Sequence, residues 1–150
     1  APVVDLPVLL AAREGARAAP ALEAARRALP VCLVVDDSVS VRRMMENFVR
    51  DLGFQADSAA DGIEALECVA RRVPALVLAD LEMPRMNGVE LVRALREKPA
   101  TRSVPVVMIT SRSSEKHRQL ALDAGVDVFL TKPYTEDALA SHIARLLERR

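Results

Sequence analysis

Five residues carry side chains from which a reaction could be built: Asp36, Asp37, Asp80, Thr110 and Lys132. They stand at or just beyond the ends of short apolar runs: VCLVV precedes Asp36-Asp37, ALVLA precedes Asp80, VVMI precedes Thr110, and VDVFL lies just ahead of Lys132. Three carboxylates brought close together repel, so they require a shared proton or a cation among them. An all-oxygen set with no histidine or thiolate at ligand spacing suits Mg²⁺. A carboxylate beside a divalent cation can attack a phosphoryl group and carry it as an acyl phosphate. Transfer spreads charge over the equatorial oxygens, and the Lys132 ammonium and Thr110 hydroxyl are donors suited to that charge. No residue stands out as a general base to clear the acyl phosphate, which favours a lasting mark over turnover. Singly, each residue has a plainer role as helix cap, turn residue or surface charge.

The five meet only if their strands share a sheet. Val31–Val35 and Ala75–Ala79 are continuous apolar runs, the pattern of strands buried on both faces of a parallel sheet. Val106–Ile109, opened by Pro105, and Val126–Leu130 read the same way, while Phe54–Ser58 is more polar, as befits an edge strand. Helices fill the gaps. Ser38 caps one whose Val41, Met44, Met45, Phe48 and Leu52 recur at helical spacing, and Gly53 closes it. Asp61 with Glu64 gives the pattern of a capping box for a helix to about Arg71. Further helices are expected from about Val89 to Glu97 and from Ser113 or Ser114 to Gly125. The last follows Thr135, with a stripe of Leu139, Ile143, Leu146 and Leu147. Five strands alternating with five helices predict an α/β fold, a doubly wound five-stranded parallel sheet with helices on both faces. Ligands of such sheets gather outside the carboxyl ends of the strands, which puts all five residues on one rim.

At 150 residues the chain suits one domain with a substantial core, and the core is aliphatic: 51% of residues are apolar but only 3% aromatic. Lys plus Arg and Asp plus Glu both number 21. That balance gives no electrostatic case for nucleic acid or an anionic membrane as partner. Val3–Ala12 is too short and too interrupted to span a bilayer and lacks the pattern of a signal peptide, so a cytoplasmic domain is expected. Cys32 and Cys68 read as two buried structural thiols in a reducing compartment. His117 and His142 read as surface residues.

VCLVVDDSVSVRR, LADLEMPRMNG, MITS and FLTKP, in that order, resemble the receiver domain of two-component response regulators, the CheY-like family. The resemblance spans about Pro30 to Arg150 and implies a flavodoxin-like sheet of order 2-1-3-4-5. It implies Asp80 as phosphoacceptor for the phospho-His of a histidine kinase, in a domain that catalyses its own phosphorylation and dephosphorylation. It further implies that Asp37, Asp80 and the backbone carbonyl of Glu82 ligate Mg²⁺, with Asp36 assisting through water. Thr110 and Lys132 would contact the phosphoryl group, and Phe129 would follow a shift of Thr110. Phe129 replaces the commoner tyrosine and so offers no hydroxyl. Glu82 and Arg112 fall at positions that tune phosphoryl lifetime in the family. Lys132-Pro133 would be a cis bond. The output would be a protein partner on the face of the fourth helix, fifth strand and fifth helix.

Haloacid-dehalogenase-type phosphatases also combine a strand-end Asp, a Thr/Ser, a Lys and Mg²⁺. They need a second Asp two residues after the nucleophile, where this chain has Glu82. A flavodoxin-like FMN site is opposed by Asp36-Asp37, which would repel a phosphate. Residues 1–30 differ from the rest and are expected to be an N-terminal extension or interdomain linker, with the receiver domain over 31–150. APVVDLPVLL resembles the closing strand and short helix of a CheW-like coupling domain, followed by an Ala/Arg-rich run to Leu29. The arrangement resembles hybrid CheA-type histidine kinases of chemotaxis-like systems, such as those governing type IV pili. The expectation is therefore the C-terminal receiver of a larger kinase, the alternative a free-standing single-domain regulator.

Overall fold

Four short apolar runs and one polar one form the sheet of the computed structural model, which describes residues 19–112 and 114–148. The strands are β1 (Val31–Val35), β2 (Gln55–Ala59), β3 (Leu76–Ala79), β4 (Val106–Thr110) and β5 (Val128–Thr131). Between and after them lie α1 (Val39–Asp51), α2 (Gly62–Arg71), α3 (Gly88–Glu97), α4 (Glu115–Ala124) and α5 (Glu136–Glu148). Every strand pair is parallel and the order is β2-β1-β3-β4-β5, the flavodoxin-like arrangement. The polar strand β2 is an edge, as its composition requires.

Period-two alternation splits the core in two. Leu33 and Val35 of β1 join Val77, Met108 and Phe129 against Ala65, Val69, Leu91, Val92, Leu95 and Ala121, so α2, α3 and α4 cover one face. Cys32 and Val34 join Leu76, Leu78 and Ile109 against Met45, Val49, Leu139 and Ile143, so α1 and α5 cover the other.

The starts of β2 and β5 differ from the sequence expectation for one reason, while β3 begins one residue later than expected and β2, β4 and β5 each end one residue later. The Phe54 N–H bonds back to Val49 O at 3.0 Å and the Val126 N–H to Ala121 O at 3.1 Å. Both apolar residues are buried, but their backbones close the preceding helices, so β2 begins at Gln55 and β5 at Val128. Ser38, Asp61, Ser114 and Thr135 each accept a backbone N–H of the first turn that follows. The reciprocal capping box expected at Asp61 and Glu64 is half formed: Glu64 Oε1 accepts from Ala60 N, one residue too early. The complete box belongs to α3, where Asn87 Oδ1 accepts from Glu90 N and Glu90 Oε1 from Asn87 N. Gly53 and Gly125, with φ of 100° and 113°, occupy the left-handed region just past α1 and α4.

Residues 19–28 form a further helix that is exposed along its whole length. The stretch resembling a coupling domain lies outside the described residues. No described helix is long and apolar enough to cross a membrane.

Candidate functional site

The carboxyl rim is positioned by backbone bonds that carry the ladder past the strand ends. The Asp80 N–H donates to Val35 O at 3.0 Å and the Asp36 N–H to Ala59 O at 3.1 Å, so both aspartates sit one residue beyond their strands. On the far side the Lys132 N–H donates to Thr110 O at 2.8 Å, joining the ends of β4 and β5. Asp36 is fixed further: its Oδ1 accepts from Ser38 N at 2.9 Å and its carbonyl from Arg42 Nη1 at 2.7 Å.

Asp36, Asp37 and Asp80 converge there, each offering an oxygen within 4.8 Å of the others. Lys132 Nζ lies 4.0 Å from Asp36 Oδ2. Burial pushes the Asp36 carboxyl above the usual range, while the Ser38 N–H and the Lys132 charge pull the other way. Asp80 is likewise raised, first by burial and then by the charge of Asp36, with Lys132 opposing. Two carboxyls so destabilised as anions fit a cation among them. A donor set made wholly of carboxylate oxygen, open to solvent at Asp37, fits a hard ion that keeps waters, such as Mg²⁺.

Thr110 is buried at the rim, and its Oγ1 accepts from Arg112 N at 3.1 Å, which leaves the hydroxyl proton to be donated. Asp80 Oδ1 accepts from Leu81 N at 2.8 Å, fixing one carboxylate oxygen by its own loop. At the mouth, Arg112 Nη2 and Glu82 Oε2 pair at 2.9 Å, both more than half exposed. Phe129 is placed lower, buried in the core under α4. Lys132-Pro133 is cis. His117 takes part in the cap of α4, with its Nδ1 against Ser114 Oγ, and His142 lies half-buried on α5; neither belongs to the carboxylate cluster.

Three contributors were missed in the sequence. A cavity of ≈ 260 Å³ opens at Asp36, Asp80 and Lys132 onto a floor of Val34, Leu78 and Ile109, and Tyr134 walls it with Met44 and Met45. The Tyr134 hydroxyl donates to Met45 Sδ at 3.2 Å. As the chain's one tyrosine, two residues after Lys132, it offered a readable signal. Arg85 and Asp61 pair beside the Asp80 loop with no local sequence signal, and Arg96 gathers carbonyls from two segments, the loop before β4 and Gly125. Cys68 is only half-buried, unlike Cys32, because it sits on the flank of α2 beside Arg71.

Known proteins share this fold and much of this sequence. The family model described as response regulator receiver domain matches residues 32–144. The chain is 37% identical over 118 residues to response regulator Rre1 of Synechocystis, covering 78% of this chain and 51% of that protein. It spans about half the length of the first curated relatives it matches. Among solved structures it resembles the receiver domain of a signal transduction histidine kinase from Syntrophus aciditrophicus, with a TM-score of 0.74 and 33% identity. That likeness covers 79% of this chain and 90% of the other. Chemotaxis protein CheY4 of Vibrio cholerae gives a TM-score of 0.74 and 32% identity, over 79% of this chain and 99% of that one. With three quarters of its length matched and the strand-end acids in register on one rim, the chain belongs to the response regulator receiver domain family.

Proposed function

We propose that Asp80 accepts a phosphoryl group from the phospho-His of a histidine kinase, in a reaction that depends on Mg²⁺. An Asp80 carboxylate oxygen attacks phosphorus as the P–N bond breaks, and the departing imidazole nitrogen takes up a proton. Lys132 balances charge developing on the phosphoryl oxygens and Thr110 donates its remaining hydroxyl proton to one of them. Asp36, Asp37, Asp80 and the Glu82 carbonyl would hold Mg²⁺, which supplies a Lewis acid for the phosphoryl oxygens. The observation that carries this reading is the convergence of the three carboxylates within 4.8 Å, with the Lys132 ammonium beside Asp36. Mass spectrometry after incubation with Mg²⁺ and a small acyl phosphate tests it. One phosphoryl adduct is expected, lost in Asp80→Asn and in EDTA; undiminished labelling of Asp80→Asn would sink the assignment.

The mark is read on the face of α4, β5 and α5. Only Ala121 and Ala124 of α4 are buried, so few contacts oppose its displacement when Thr110 turns toward a phosphoryl oxygen, with Phe129 following. Hydrogen exchange with and without a phosphoryl mimic should differ between Thr110 and Lys132; identical exchange there would count against the switch. The partner is a protein, in the cytoplasm, and the domain serves as the receiver of a chemotaxis-like hybrid histidine kinase. Support comes from the likeness to a histidine kinase's receiver and from the exposed helix at 19–28 leading into β1. The likeness to CheY4 supports the alternative, a free-standing regulator. Mapping the full-length gene product separates the two: an upstream kinase and coupling domain is expected.

A further inference from the structure

Arg85 is the one described residue other than glycine with positive φ, at 63°. A side chain there is held in a conformation that only glycine adopts without cost. Its guanidinium reaches across to α2, where Nε donates to Asp61 Oδ2 at 2.7 Å and Nη2 to Asp61 Oδ1 at 3.2 Å. Asp61 is buried and already serves as the N-cap of α2 through Glu64 N. Those contacts, the Arg85 hydrogen bonds foremost, hold its carboxyl below the usual range.

A second tie runs alongside. The Gly62 N–H donates to Met86 O at 3.1 Å, and a Cβ on Gly62 would lie 2.5 Å from Met86 Cγ. The far end of the loop closes as tightly: Gly88 N donates to Leu81 O at 2.8 Å, and a Cβ on Gly88 would come within 2.3 Å of Asp80 O. The loop from Leu81 to Asn87 is therefore clasped to the start of α2 at Arg85–Met86 and drawn against Asp80 at Gly88. It also supplies the Leu81 N–H that fixes Asp80 Oδ1 and contains Glu82.

We propose that Asp61 and Arg85 are positioning residues: their ion pair sets the loop that orients the Asp80 carboxylate and the Glu82 carbonyl toward cation and phosphoryl group. This rests on the reading of Asp80 as phosphoacceptor. A misplacement of a reacting group by about 1 Å can cost on the order of a hundredfold in rate, so a partial release should cost about tenfold.

Asp61→Asn tests it, because asparagine keeps one acceptor for the cap of α2 but loses the charge and sets an amide N–H2 where Oδ2 accepts from Arg85 Nε. Arg85→Gly accepts the left-handed backbone but cannot pair, and Arg85→Lys retains a single contact. Mg²⁺ alone is titrated calorimetrically, since the chain has no tryptophan to report binding. Phosphorylation of Asp80 by a small acyl phosphate is followed in parallel, with circular dichroism confirming the fold. Asp61→Asn and Arg85→Gly should each weaken Mg²⁺ binding and lower the maximal phosphorylation rate about tenfold, with KM for the donor unchanged. Arg85→Lys should recover part of both. Folded variants with wild-type Mg²⁺ affinity and wild-type rate overturn the proposal, as does a loss confined to thermal stability. If wild-type Asp80 takes no label, the phosphoacceptor reading fails by itself, and the Mg²⁺ titrations still decide the clasp.

Discussion

Helices α3 and α4 are each ten residues long and each follows a strand with a site residue at or just beyond its end, yet they are held very differently. Helix α3, after Asp80, buries Gly88, Val89, Leu91, Val92 and Leu95 and begins with a reciprocal capping box. Helix α4, after Thr110, buries only Ala121 and Ala124, both in its last turn. That last turn is also pinned from outside. Arg96, at the end of α3, donates to Gly125 O through Nε at 3.1 Å and Nη2 at 2.8 Å, and Nη2 contacts Asp127 at 3.1 Å. Its Nη1 holds Arg102 O and Val104 O at 2.9 and 2.6 Å. The Asp80 side of the rim is thus a fixed frame, while the threonine side carries a lever anchored at one end. On the proposed reading, a hydrogen bond gained at Thr110 would act on the free end of α4, where little apolar contact must be undone.

The largest test of that contrast is a leucine truncation in each helix. Leu91→Ala should cost about 3 kcal/mol, the usual loss for a fully buried leucine. Leu120→Ala, 41% exposed, should stay within about 0.5 kcal/mol, both read from urea midpoints. Equal losses would mean that α4 is as firmly packed as α3. Next, Arg96→Ala should cost about 2 kcal/mol by leaving carbonyls unpaired, and should let Gly125–Val128 amides exchange almost as fast as those at the start of α4. Unchanged protection at Gly125 would remove the anchor from the account.

The frame also has a pH signature. The Asp61 carboxyl is lowered in the native state, so its stabilisation is fully present above the unfolded value of about 3.9 and is lost as pH falls through the lowered native value. The stability gap between wild type and Asp61→Asn should be flat from pH 7 to about 5 and should narrow below about pH 4. A gap that widens on acidification would contradict the sign. The smallest effect on stability should come from the pair that bridges frame and lever. Replacing Glu82 and Arg112 together by alanine removes an exposed ion pair worth under about 1 kcal/mol, yet it opens the mouth to water. The acyl phosphate should decay faster with Mg²⁺ affinity unchanged; the same decay rate would show that the pair does not shield the site.

Much of the frame could be read in the sequence because it is local. A strand that ends on a carboxylate, a serine or aspartate one residue before a helix, and a glycine at a helix end are short-range signals, and Asp36, Asp80, Ser38 and Gly125 all stand where those signals place them. Alternation of strands and helices gave parallel pairing but not the order of strands, which came from the likeness to receiver domains. What escaped is long-range or depends on side-chain reach. Arg85 meets Asp61 across 24 residues and Arg96 meets Gly125 across 29. The Glu64 carboxylate had the right spacing for a capping box, but its length carried it past the cap to Ala60. Phe54 and Val126 are as apolar as strand residues, and only their backbone partners assign them to helix ends.

The two cysteines turn the folded domain into its own stopwatch. Cys32 lies at the middle of the sheet with no exposed surface, its thiol raised far above the ordinary range by burial, whereas the Cys68 thiol is half-open on α2. A thiol reagent meets Cys68 through local breathing but reaches Cys32 only when β1 parts from its neighbours, close to complete unfolding. Single labelling then counts molecules that have stayed folded, and double labelling counts those that have opened at least once. Because Asp36 directly follows β1, whatever binds the acidic rim should lengthen the interval before the second label arrives.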